Sequence, residues 1–327
     1  MARESSIDVG VVGVGTMGQH HARVYGQLEG ANLVGVYDLD AERAQQVARR
    51  YGGDATDLGT LLDSVDAVSI AVPTRFHYDV ATSCLEAGVA TLIEKPVVRR
   101  LENGKRLEAL AREAGVPVQV GHIERFNPAV SVLESVVDDL DIIGVKAERL
   151  GPPPKRPIDD NAVLDLMIHD IDIVLSLLDD IPTQVQSAGV QGNTHATALL
   201  EFEGGPLASL TASRLTQRKV RRLEITAKNC LVELDYLDQT VEIHRRSVPE
   251  YIESNGGVQF THESIIEQPH VPTAEPLKRQ LEAFLESVRA DAIPPVTIDD
   301  GLRALELATR IDRQDHQATT ALEAIND

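Results

Sequence analysis

Through the first third of the chain, short apolar runs alternate with helical patterns. They read IDVGVVGVG, a helix from about Met17, NLVGVYD, a helix from about Ala41, AVSIAVP, a helix from about Tyr78, and ATLIEKP. Strands apolar along their whole length, separated by helices, are the pattern of βαβ units around a parallel sheet covered on both faces. A helix over about 102–113 and the strand VPVQVGH extend the series. From Pro128 the pattern changes. A helix near 128–137 and the strand-like IIGVKAERL lead to a break at PPPKRP. Beyond it come TQVQSAGV, TALLEFE, LASLTASRL, RRLEITAKN, CLVELDYL and TVEIHRR, with EGGP (203–206) as a turn between two of them. The polar stretch 247–274 has no clear pattern, and helices near 275–290 and 299–313 close the chain.

The turn after the first strand reads Gly13-Val14-Gly15-Thr16-Met17-Gly18 and opens a helix, the context a dinucleotide fingerprint requires. Gly13 permits the tight turn, Gly15 the approach of backbone to a pyrophosphate, and Gly18 close packing of the helix, whose first N–H groups face the phosphates. Asp38 ends the second strand twenty residues after Gly18, where a carboxylate accepts hydrogen bonds from ribose hydroxyls and repels a 2′-phosphate. NAD is therefore expected; NADP stays open because Arg43 or Arg49 could reach a phosphate. The expected fold class is α/β plus α+β. A Rossmann, doubly wound parallel sheet occupies 1–122, and a mostly antiparallel sheet backed by helices, for substrate binding and oligomerisation, occupies 123–327.

Residues 163–178, VLDLMIHDIDIVLSLL, combine a helical apolar face with a polar line. At about 100° per residue Leu164, Met167, Ile168, Ile171, Val174, Leu175 and Leu178 share one face, and Asp165, His169, Asp172 and Ser176 form one stripe, with Asp170 off it. A half-exposed helix with hydrated aspartates is the alternative reading. Composition narrows the partners. With 43% hydrophobic residues the chain can bury a large core, while a net charge of −20 disfavours nucleic acid and anionic membranes. Only seven of the 31 basic residues are lysine, which fits a cytoplasm of high salt. The start MARESSIDVG has no signal-peptide pattern and no apolar run is long enough to span a membrane, so a cytoplasmic location is expected. Cys84 and Cys230 form no metal-ligand or disulfide pattern, and His20, His21 and His122 sit at no recognisable zinc spacing; no metal is expected.

Glu94-Lys95-Pro96 follows the strand ATLI, so Lys95 projects from a carboxyl-end loop, where partial desolvation suits a lysine for proton transfer. The ordered set GVGTMG, AVPTRFH, EKP, VGHIERFNP and DLMIHDID resembles the Gfo/Idh/MocA family of nicotinamide-dependent sugar and polyol oxidoreductases over nearly the whole chain. That resemblance implies Lys95, Asp165 and His169 as the catalytic set and a cis Lys95–Pro96 bond. His169 is then the base that takes the hydroxyl proton, Lys95 polarises the same oxygen, and Asp165 positions substrate; the base could instead be Lys95. The resemblance also implies cofactor contacts from Gly13, Gly15, Thr16, Met17, Gly18, Asp38, Pro73, Thr74, His77, Glu94 and Lys95, and substrate contacts from Lys95, Arg125, Asp165 and His169. Pro73 and Thr74 could equally be loop residues, His77 a helix cap, and Arg125 an interdomain ion-pair residue. Met167 replaces the glycine usual in the family's Asp-x-Gly-x-His motif.

VGHIERFNPAV, VLDLMIHDIDIVLSLL, LTASRLTQRKVRRLEI and LVELDY look most like the branch assigned as UDP-N-acetylglucosamine 3-dehydrogenases, which implies oxidation of a sugar C3 hydroxyl. Arg214, Arg218, Lys219, Arg221 and Arg222 concentrate positive charge that suits a diphosphate, although alternate strand residues face opposite ways. An inositol or free-sugar dehydrogenase, and a non-catalytic dinucleotide-binding sensor, stay open as alternatives. Open sheet faces and the resemblance together predict a homodimer or homotetramer.

Overall fold

The computed structural model describes residues 6–138, 140–154, 160–246, 250–254, 257–261 and 264–326. The first five residues of MARESSIDVG and the Lys155-Arg156-Pro157 part of PPPKRP lie outside them. The chain divides into two compact units: Met1–Phe126 with Ala274–Glu306, and Asn127–Thr273 with Leu307–Asp327.

In the first unit, β1 (Ile7–Val12), α1 (Thr16–Tyr25), β2 (Ala31–Tyr37), α2 (Ala41–Tyr51), β3 (Asp54–Ala55), α3 (Leu58–Leu62), β4 (Ala67–Ile70), α4 (His77–Glu86), β5 (Ala90–Glu94), α5 (Leu101–Ala114) and β6 (Val118–Gly121) follow in sequence. All pairings are parallel and the strand order is β3-β2-β1-β4-β5-β6, the doubly wound arrangement expected. The middle strands are apolar throughout because both faces are covered: every residue of β4 and β5 is buried.

In the second unit, α6 (Pro128–Val137) and β7 (Ile142–Leu150) precede a π turn over Val163–Met167 that runs into α7 (Ile168–Leu178). Then come β8 (Gln184–Val190), β9 (His195–Glu201), β10 (Leu207–Ser213), β11 (Val220–Ala227), β12 (Cys230–Asp235), β13 (Thr240–Arg246), β14 (Glu250–Ser254), β15 (Gly257–Thr261) and β16 (Ser264–Glu267). Eight strands make one sheet, β16-β13-β12-β11-β7-β10-β9-β8, antiparallel except where β7 runs parallel to β10. Along β9 the residues Ala196, Ala198 and Leu200 turn inward while Thr197 and Leu199 are exposed, the alternation of a sheet with one open face. EGGP makes the β9–β10 turn, with Gly204 and Gly205 at φ +85° and +112°.

The last helices are α8 (Pro276–Ala290) and α9 (Ile298–Asn326). By contacts they divide between the two units, Ala274–Glu306 going with Met1–Phe126. Leu277, Leu281, Phe284 and Leu285 of α8 join the core formed by Val9, Val11, Ala22 and Tyr25, so this late segment belongs to the first unit. Helix α9 outruns the expected 299–313. Among the described residues, no helix is long and apolar enough to cross a membrane.

Candidate functional site

The dinucleotide turn has the geometry its glycines require. Gly13 sits at φ +85°, a Cβ on Gly18 would stand 1.8 Å from the Gly13 carbonyl oxygen, and space is open at Gly15. Helix α1 starts at exposed Thr16, and no side chain caps it at Gly15. Met17 is half-buried. Asp38 lies just beyond β2: its Oδ2 accepts from the Val14 N–H (2.8 Å) and Arg43 Nε (3.1 Å), and its Oδ1 from Arg43 Nη2 (2.7 Å). Burial alone would raise its pKa, but hydrogen bonds from Arg43 and the N–H groups of Asp40 and Val14 hold the carboxyl below the usual range. The open space at Gly15, the helix start without a side-chain cap and this carboxylate fit a dinucleotide.

Past β4, Pro73 is exposed and Thr74 half-buried. His77 does not cap α4 through its side chain. The ring is buried and reaches the Pro96 and Val72 carbonyl oxygens. The Lys95–Pro96 bond is cis, and Lys95 is half-buried. Glu94 turns inward, its Oε1 3.0 Å from His21 Nε2 and its Oε2 accepting from the Lys95 N–H at 3.3 Å. Burial pushes its pKa up, yet the His21 contact and the charges of His21, Lys95 and His77 bring it below the ordinary value. A side chain at Gly121 would meet this carboxylate at 2.9 Å. His122 is buried beside them, and burial, then the Lys95 and Arg125 charges, lower its pKa to about 3. Arg125, half-buried, lies in the 3-10 turn Ile123–Phe126.

In the second unit, the expected continuous helix over 163–178 is interrupted. The Ile168 N–H reaches the Val163 carbonyl five residues back, so Asp165 sits on a π turn and His169 on the α-helix that follows. The turn is anchored at its start: Asn161 Oδ1 accepts from the N–H groups of Val163 (3.0 Å) and Leu164 (3.1 Å). Asn161 and Asn193 both donate to Asp312 Oδ1, at 2.6 and 2.7 Å. Asp165 and His169 are half-buried, and Met167 is fully buried. Asp170 and Asp172 are buried and Ser176 half-buried, so these aspartates do not face water. Asp170 accepts two hydrogen bonds from buried Arg149, at 2.9 and 2.8 Å.

The basic cluster is dispersed. Arg214 donates through Nη2 to Asp165 Oδ2 (2.5 Å) and through Nη1 to the Asp160 carbonyl oxygen (2.7 Å). Arg221 bonds the Leu150 carbonyl oxygen, Arg222 pairs with Asp235, and Arg218 and Lys219 are exposed. The sequence missed the Arg214–Asp165 and Arg149–Asp170 pairs; charged residues inside otherwise apolar strands and helices were the available signal. Cys84 and Cys230 are buried and free. Among the described residues, Glu233, Glu242 and His244 alone could gather round a metal ion, on half-buried or exposed strand positions.

A model described as the oxidoreductase family's NAD-binding Rossmann fold matches residues 7–122, and one for the GFO/IDH/MocA C-terminal domain matches 149–232. UDP-N-acetylglucosamine 3-dehydrogenase of Acidithiobacillus ferrooxidans is 34% identical over 312 residues, 92% of this chain and 95% of that protein. Its solved structure superposes with a TM-score of 0.87 at 32% identity, over 95% of this chain and 98% of that one. The NAD-dependent scyllo-inositol 2-dehydrogenase of Bacillus subtilis is 31% identical over 64% of this chain and 68% of its own length. Apo scyllo-inositol dehydrogenase from Lactobacillus casei shares the fold, with a TM-score of 0.79 at 20% identity over 97% and 98% of the two chains.

Proposed function

The chain belongs to the Gfo/Idh/MocA family of NAD(P)-dependent oxidoreductases, and from that premise we propose that it oxidises the C3 hydroxyl of a UDP-N-acetylhexosamine to a ketone, using NAD. The observation that carries the substrate choice is the 34% identity to the Acidithiobacillus UDP-N-acetylglucosamine 3-dehydrogenase along 95% of that enzyme's length. The dinucleotide, when bound, supplies the hydride acceptor. Cofactor contacts fall to Gly13, Gly15, Thr16, Met17, Gly18, Asp38, Pro73, Thr74, His77, Glu94 and Lys95. The Asp38 carboxylate favours NAD because it suits ribose hydroxyls and repels a 2′-phosphate.

His169 takes the hydroxyl proton, imidazole being the side chain that most readily exchanges protons near neutral pH. Lys95 polarises the same oxygen as an ammonium donor, and Asp165 and Arg125 position the sugar. The π turn beneath Asp165 supports this reading, since such turns occur often at functional positions. Exposed Val190, Leu199 and Leu207 on the second sheet favour a homo-oligomer, and a cytoplasmic location is part of the same reading.

The test is reduction of NAD by the purified protein with UDP-N-acetylglucosamine, other UDP-sugars, free sugars and inositols. Turnover should favour the UDP-N-acetylhexosamine, and Lys95→Met and His169→Asn should each lower kcat by about 10²–10⁴. Preference for an inositol would replace the substrate assignment. NAD binding without turnover of any polyol would make the chain a dinucleotide-binding sensor.

A further inference from the structure

Along β10, Ala208, Leu210 and Ala212 are fully buried and turn to one side of the sheet. Arg214 is the next residue on that side. Its N–H donates to the Thr194 carbonyl oxygen (2.9 Å), and the Gly151 N–H donates to the Ser213 carbonyl oxygen (2.9 Å), so the main chain here is tied on both flanks. An apolar side chain would continue the buried face. The chain has instead an arginine only 9% exposed, whose two terminal nitrogens serve different acceptors. Nη2 donates to Asp165 Oδ2 at 2.5 Å and Nη1 to the Asp160 carbonyl oxygen at 2.7 Å.

Those acceptors lie at the two ends of one turn. The Asp165 N–H donates to the Asn161 carbonyl oxygen (3.0 Å), and Asn161 Oδ1 accepts from the Val163 and Leu164 N–H groups. The backbone of 160–165 is therefore closed by bonds that do not involve Arg214. What the guanidinium adds is the placement of one carboxylate. Stability does not call for a buried ion pair at this point, since apolar side chains of similar volume are often neutral or stabilising in its place.

We propose that Arg214 is a positioning residue for the reaction, fixing the Asp165 carboxylate in the one orientation through which the sugar is positioned. The role rests on the assignment of Asp165 to the substrate. With Oδ2 committed to the guanidinium, the carboxylate cannot rotate without losing a charge-assisted hydrogen bond. The second arm, held at Asp160, keeps the planar guanidinium from following such a rotation. Lysine would keep the charge, but a single ammonium on a flexible stem does not present that fork.

Steady-state kinetics of the full-length protein test this, on the polyol it turns over fastest, with Arg214→Lys, Asp165→Ala and the double variant. Arg214→Lys should lower kcat/KM for the polyol by about 10–100-fold through misplacement of Asp165. KM for NAD should not move, because every cofactor contact proposed above lies in the first unit. With Asp165→Ala already present, the same substitution should cost less than about threefold, since the carboxylate through which Arg214 acts is gone. Circular dichroism melts establish that each variant is folded. Arg214→Gln goes through the same cycle with the same expectation, so a lysine variant that fails to fold still leaves a reading. Losses that add in full in the double variant, or an Arg214→Lys protein as active as wild type, overturn the proposal and leave the functional reading intact. Turnover of no polyol at all would overturn both.

Discussion

Arg149 and Asp170 offer a direct test of how the second unit holds its site helix. Arg149 is the last residue but one of β7, and Asp170 lies in the first turn of α7, next to His169. Their side chains are 4% and 2% exposed, joined by two hydrogen bonds of 2.9 and 2.8 Å, and the guanidinium stands 5.0 Å from the Tyr236 ring centroid. At this burial, Arg149→Met or Asp170→Leu removes the charged partner of a buried ion, which costs about 3–5 kcal/mol. For a unit of this size about 1 kcal/mol moves Tm by roughly 2–4 °C, so each single variant should melt about 10 °C lower. The double variant Arg149→Met/Asp170→Leu removes both charges and leaves apolar atoms in their place, so it should recover most of the loss. The remainder, about 0.5–2 kcal/mol, is the stacking on Tyr236. Thermal and urea melts followed by circular dichroism, at a concentration that fixes the oligomeric state, give the double-mutant cycle. Single variants within experimental error of wild type, or a double variant as unstable as the sum of the singles, would refute the view that the pair costs most when half of it is removed.

Asp38→Ala removes the acceptor for ribose hydroxyls and frees Arg43 from its two hydrogen bonds, so kcat/KM should shift from NAD towards NADP by about 10–100-fold, equivalent to roughly 1.4–2.7 kcal/mol. No gain with NADP would show that Arg43 does not serve a 2′-phosphate. Gly18→Ala forces a Cβ to within 1.8 Å of the Gly13 oxygen, so the turn must open. Calorimetry should find NAD binding at least about tenfold weaker and stability down by about 1–3 kcal/mol. His122 stays neutral in the folded chain down to about pH 3, whereas unfolded it takes a proton near pH ~6.5. Between those values the unfolded state binds more protons, so stability falls as pH drops, by up to about 5 kcal/mol at pH ~3. Denaturant melts across that range should lose this slope in His122→Asn.

The first unit was legible because each middle strand is apolar on both faces and each crossover carries a helical period. What escaped notice there is short: β3 has two residues and α3 five, too few for any periodicity to register. The place of α8 is another matter. Its apolar stripe of Leu277, Leu281, Phe284 and Leu285 announces a helix, but nothing in a stripe says which sheet will cover it. The far end of α9 lacked even that signal, since DRQDHQATT has almost no apolar period to follow.

At the candidate site, spacing along the chain was informative and charge was not. The dinucleotide turn followed from local sequence, because a turn's geometry is set by its own residues, whereas the cis Lys95–Pro96 bond was implied by the family resemblance. The π turn did not, because it depends on Asn161 being held by Asp312, a residue 151 positions away. The basic run 214–222 told least. Its positive charge suits a diphosphate, but strand alternation separates its members, and the Arg214 guanidinium binds the Asp165 carboxylate and the Asp160 carbonyl. In an acidic chain, an arginine this deeply buried is held by the nearest buried carboxylate, so its neighbours in sequence say little about its partner in space. The same rule assigns Arg149 to Asp170, and it explains how α7 accommodates the buried Asp170 that periodicity left off the polar stripe.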